Sequence, residues 1–139
     1  MLRKFFVLLL LVFAAGCNKN KMTPPPGCPL QACTDIFATI GVTFVDNQGQ
    51  PIAIENLKVT DLRTHLTLTR GVNNVLWVKG FYVIADDSVL KQLSTDGDDV
   101  QVSATNPATN QTISTIFKIA GGCNCHVIKK SGPDKITFN

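Results

Sequence analysis

A chain of 139 residues with a formal net charge of +3 and a pI near 8.7 looks basic until its charges are placed. Arg3, Lys4, Lys19 and Lys21 all precede residue 28, and from there on nine Lys and Arg face ten Asp and Glu. The electrostatic footprint of a nucleic-acid binder is therefore missing, and residues 28–139 suit one domain with a core of its own.

The first predicted element is a secretory signal. Arg3 and Lys4 precede an apolar run from Phe5 to Phe13, which gives way to Ala14, Ala15 and Gly16, the order of charged, apolar and small residues that export signals share. The run is roughly half of the ~20 residues a helix needs to cross a bilayer, so removal is expected rather than retention as a span. Ala14-Ala15-Gly16-Cys17 resembles the lipobox of bacterial lipoproteins, in the relaxed form common in Bacteroidetes, with Ala14 where the family usually carries Leu. The resemblance implies cleavage after Gly16, lipidation of Cys17, and attachment to a membrane of the bacterial cell envelope, the outer membrane being the expected one. Ordinary secretion would leave Cys17 as an odd free thiol. Asn18 to Gly27 has no apolar periodicity and contains Pro24, Pro25 and Pro26. It reads as an extended stalk, reaching roughly 30 Å at ~3.1 Å per residue.

Beyond the stalk the chain is Thr-rich and has one Glu, with short alternating or apolar runs between Gly, Asn, Asp and Pro clusters. That pattern predicts an all-β sandwich of antiparallel strands over residues 28–139. In "DIFATIGVTFVDNQGQPI", Ile36, Ala38, Ile40, Val42 and Phe44 share one face at period two, and Asp46 to Gly49 form a turn. The further predicted strands are Leu57–Leu62, Leu66–Arg70, Asn74–Ala85, Val100–Thr105, Thr112–Ala120, Cys125–Lys130 and Lys135–Phe138, with one short helical turn over Ser88–Leu93.

Two of these segments resemble carboxypeptidase regulatory-like, or transthyretin-like, modules. "GVTFVDNQGQPI" is similar to their first strand and its Asp-x-x-Gly-x-Pro turn, and "VKGFYVIADD" to their Gly-x-Tyr strand. The resemblance implies an Ig-like sandwich of about seven strands. It supplies no catalytic residue, because such modules are mostly spacers or binding units.

Enzyme chemistry is thinly represented. The chain has His65 and His126, no Gly-x-Ser-x-Gly and no phosphate-binding glycine loop. His65, in "RTHLTL", reads as a turn or strand-edge residue. Asp96, Asp98 and Asp99, with Asp86 and Asp87 nearby in sequence, suggest a calcium site, but the acidic residue closing an EF-hand loop is missing, and a solvated turn is the simpler reading. Trp77 and Phe81 on one face of "NVLWVKGFYVI" and Tyr82 on the other fit a central buried strand better than a sugar-stacking platform. Asn110-Gln111-Thr112 matches an N-glycosylation acceptor, and Asp87-Ser88-Val89 resembles the O-glycosylation signal of Bacteroidetes envelope proteins.

With Cys17 assigned to lipid, Cys28, Cys33, Cys123 and Cys125 remain, an even set in an exported chain, for which disulfides are the default. Three connectivities are open. In an extended "CNC", Cys123 and Cys125 lie about 6.5 Å apart, too far for a bridge that wants Cβ atoms about 3.5 to 4.5 Å apart. Each is expected to reach back to "CPLQAC", with Cys33–Cys125 and Cys28–Cys123 favoured. Zinc held by four thiolates, with His126 beside them, is the competing site and needs reduced cysteines. The expected function is that of a lipid-anchored envelope protein, not an enzyme and without cofactor or bound metal. It would act as a binding, adhesion or assembly module toward an envelope protein or a glycan. The alternative is a thiol-active or zinc-dependent protein built on "GGCNCH".

Overall fold

The computed structural model describes residues 26–68 and 78–139. Cys17, the signal, most of the stalk, Trp77 and parts of the predicted strands 66–70 and 74–85 lie outside these residues. The chain divides into two compact units, Met1–Leu30 and Gln31–Asn139. In the first, residues 26 and 27 form a turn. The second is the β-domain.

Seven strands and one 3-10 turn build that domain: β1 (Thr39–Val45), β2 (Glu55–Asp61), β3 (Phe81–Asp86), the 3-10 turn Asp87–Gln92, β4 (Asp98–Thr105), β5 (Thr112–Ala120), β6 (Ile128–Ser131) and β7 (Lys135–Thr137). They form two sheets, ordered β3-β1-β7 and β2-β4-β5-β6, so the all-β sandwich is the observed architecture. Pairing is antiparallel except where β7 lies parallel to β1. A parallel neighbour cannot be reached by a tight hairpin, and here the pair joins the first strand to the last.

Alternation of side chains puts one set from each strand between the sheets. Val42, Phe44, Tyr82 and Ile84 from one sheet meet Val59, Val100, Val102, Ala104, Phe117 and Ile119 from the other, all buried. Phe44 packs edge-on against Tyr82, and Tyr82 Oη accepts the Ile54 N–H at 3.0 Å, so the one buried phenol has a partner for its polar end. Truncating Phe44 or Phe117 would cost about 3–5 kcal/mol.

The turn after β1 follows from Asp46. Its Oδ1 accepts the N–H groups of Gln48 and Gln50 at 2.9 and 2.8 Å, a side-chain imitation of a backbone turn. Gly49, at φ 78°, completes it.

Three expectations change on contact with the fold. The period-two run does not extend back to Ile36: β1 starts at Thr39, and Ile36 and Phe37 are exposed. Among the described residues β3 is an edge strand, not a central one. Phe81 lies half-buried on its outer face, with its ring over Gly41. Residues 125–127 precede β6 rather than belonging to it, because they are occupied with side-chain bonds described below.

Candidate functional site: a strap stapled to the sandwich

Residues 31–38 have no strand of their own and run as a strap alongside residues 123–127. The loop that receives them is fixed first. Gly122 N–H donates to Leu90 O at 2.7 Å and Gly121 N–H to Ser94 O at 2.9 Å. Asn124 Nδ2 donates to Thr95 O and Gly121 O, and Cys123 N–H donates to Thr95 Oγ1. The 121–124 turn is thereby bound to the segment that follows the 3-10 turn, and a rigid edge is presented to the strap.

The strap is tied to that edge in register. Gln31 Nε2 donates to Cys123 O, Cys33 is disulfide-bonded to Cys125, and Thr34 Oγ1 lies 3.0 Å from His126 Nε2. Cys28 and Cys123 each belong to a disulfide. Sulfur committed to disulfides offers no thiolate to zinc, and no cluster of His, Cys, Asp or Glu suited to a metal ion occurs among the described residues.

Asp87, at the start of the 3-10 turn, closes the strap at its far end. Its Oδ2 accepts from Ala38 N–H at 2.8 Å and from His126 Nδ1 at 2.8 Å, and its Oδ1 accepts from Val127 N–H at 2.9 Å. Burial alone would raise its pKa, but the bonds from Ala38, His126 and Val127 outweigh burial and hold the carboxyl below the usual range. The ionised Asp87 can only accept, so His126 Nδ1 donates to it, and the Thr34 hydroxyl stands at the other ring nitrogen.

Hydroxyl, imidazole and carboxylate in this order are the geometry of an activated nucleophile. Acyl transfer also needs free donors where the oxyanion forms. Two N–H groups beside the relay, those of Ala38 and Val127, are spent on Asp87. Asp87 thereby splices three segments, its carboxylate collecting donors from Ala38 at the end of the strap, from His126 and from Val127 just before β6.

The remaining acidic residues do not converge on a cation. Asp96 and Asp99 are exposed, whereas Asp98, at the head of β4, is buried. Asp98 is matched by Arg63, whose Nε and Nη2 donate to its two oxygens at 2.8 and 2.9 Å, and by Ser94, which donates through N–H and Oγ at 2.8 and 2.7 Å. The bonds from Arg63 lower its pKa to about 2 against the opposing effect of burial. Asp61, also buried, accepts from Arg63 N–H and Thr64 Oγ1. The solvated turn, preferred over calcium, describes Asp96 and Asp99 but not Asp98, whose oxygens face a guanidinium. His65 stands exposed in the turn after β2, at φ 59°.

The fold and this cluster define the class as an all-β sandwich of two sheets with a covalently fixed N-terminal strap. No protein-family model, curated protein or solved structure matches the chain.

Proposed function

We propose that this is a lipid-anchored protein of the bacterial cell envelope, held in the outer membrane through Cys17, whose sandwich acts without catalysis as a binding, adhesion or assembly module for an envelope protein or a glycan. The observation that supports it most is the Cys33–Cys125 disulfide. It lies at the entry to the domain, where a tether arriving from the N-terminus would transmit its load. A free soluble domain has less need of a cross-link at that point.

Cys17→Ser tests the anchor. The wild-type full chain takes up labelled palmitate and fractionates with membranes, and the variant does neither. A wild-type protein that takes up no label and stays soluble defeats the proposal. The absence of catalysis is tested on a panel of ester, peptide and glycoside substrates. Turnover abolished by His126→Ala would show that the Thr34–His126–Asp87 relay is a reaction centre and not a splice.

A further inference from the structure

Ile36 and Phe37 are 70% and 62% exposed, yet the backbone is bonded on both sides of them. On one side stand the Cys33–Cys125 disulfide and the Thr34–His126 hydrogen bond. On the other, Ala38 N–H donates to Asp87 Oδ2, and Asp87 N–H returns a bond to Ala38 O at 3.2 Å. A disulfide and an ionised carboxylate thus fix a short bridge whose two large apolar side chains point into solvent. Apolar groups left exposed on a mobile loop need no explanation; the same groups preorganised on a fixed ridge are what a binding surface requires.

We infer that Ile36 and Phe37 form an insertion ridge that docks the domain onto the lipid headgroup surface of the membrane carrying its anchor. This rests on the lipid-anchor reading above. Two observations favour lipid over a protein groove. Ile36 and Phe37, adjacent in sequence, are both largely exposed, so the ridge offers apolar surface at two successive positions; a groove takes up one face, whereas a fluid interface surrounds the whole ridge. The strap is also the first segment of the sandwich after Cys17 and the stalk, which keeps its local concentration near the bilayer high.

Charge contributes little to the docking. The charged and titratable groups on the strap and on the elements packed against it are Asp35, then Asp86, Asp87 and Lys91 at the 3-10 turn, then His126 and, in β6, Lys129 and Lys130. Lys129 is paired with Asp134, and Asp87 is hydrogen-bonded by His126. With the signs so nearly matched, insertion of apolar side chains carries the contact, and raised salt leaves it in place.

The test uses the full acylated chain in nanodiscs of phosphatidylethanolamine and phosphatidylglycerol doped with a headgroup spin label. Amide resonances of residues 35–38 are expected to broaden several-fold more than those of the Asn106–Asn110 turn, at low and high salt alike. Ile36→Ser with Phe37→Ser, both at exposed positions, removes the difference while the protein stays on the disc. Equal broadening in wild type and variant, or dominant broadening at Asn106–Asn110, overturns the ridge with the anchor intact. A wild-type chain that does not associate with the discs overturns the anchor itself, and the docking with it.

Discussion

Asp98→Asn is expected to lower stability at neutral pH by about 2–3 kcal/mol and to flatten its dependence on acid. The carboxylate is 4% exposed and accepts two bonds from Arg63 and two from Ser94. Asn keeps the shape, and its Oδ1 can still accept from Ser94. Its amide nitrogen in the place of Oδ2, however, then faces Arg63 Nη2 and Ser94 N–H, which also only donate, so the charge-assisted bonding there, about 1.5–3 kcal/mol, is lost. The pH behaviour follows from the pKa of about 2, lowered chiefly by the hydrogen bond from Arg63, against about 3.9 in an unfolded chain. Because the folded value is the lower one, the unfolded state takes up the proton first as pH falls. The contribution is complete above about pH 4 and disappears as pH drops toward 2. At about 1.4 kcal/mol per pKa unit it amounts to about 2–3 kcal/mol. Urea unfolding of wild type and variant between pH 7 and pH 2 reads it directly. Asp87 and Asp134, also depressed, steepen both curves alike and cancel in the difference. The gap between the curves closes with acid; curves that stay parallel would refute the role given to Arg63.

Breaking the cross-link with Cys33→Ser and Cys125→Ser, which span 92 positions, costs up to about 4–5 kcal/mol in the chain-entropy model. An unchanged urea midpoint would overturn it. Gly132→Ala is destabilising by more than about 2 kcal/mol, because Gly132 sits at φ 125° with the ring of buried Phe117 2.2 Å from the place of a Cβ. Gly49→Ala, at φ 78° but in open space, costs only about 1 kcal/mol; equal melting shifts would show that packing on Phe117 is not the cause. Asp87→Asn removes the charge that orders the strap, and hydrogen exchange at the Ala38 and Val127 amides rises by an order of magnitude or more while the β4–β5 amides keep their protection. Unchanged exchange at Ala38 would place the ordering elsewhere.

Local pattern made most of the sheet framework legible. Val100–Thr105, Thr112–Ala120 and Lys135–Phe138 are strands within a residue or two, and the short helical turn falls within Asp87–Gln92, because alternation and turn residues act over a few positions. What the alternation could not show is that Ile36 lies outside the sheet, since its periodicity is perfect; the disulfide at Cys33 and the bond at Ala38 override it. The relay was illegible for another reason. Asp87, His126 and Thr34 are separated by 39 and 92 positions, and no local motif joins them. One route to it existed: a Cys33–Cys125 bridge, favoured from the spacing of "CNC" and present in the structure, sets the register that brings the next residues, Thr34 and His126, side by side. Asp98 was misjudged as solvated because its partner, Arg63, lies 35 positions away across the β2–β4 pair.

The parallel pairing of β1 with β7 has a mechanical side. Thr43, Phe44 and Val45 lie beside Lys135, Ile136 and Thr137 in the same direction, and Phe138 N–H continues the ladder onto Val45 O at 2.9 Å. A pull that enters ahead of β1 and leaves beyond β7 drags these strands lengthwise past each other, so the rungs between them must fail together and not one at a time. Before that force reaches β1 it meets Cys33, where the covalent link to Cys125 diverts part of it into the opposite sheet by way of β6. Tension applied between the two ends is thus shared by both layers of the sandwich, and the resistance lies in the rate of forced unfolding more than in the equilibrium stability of so short a strand.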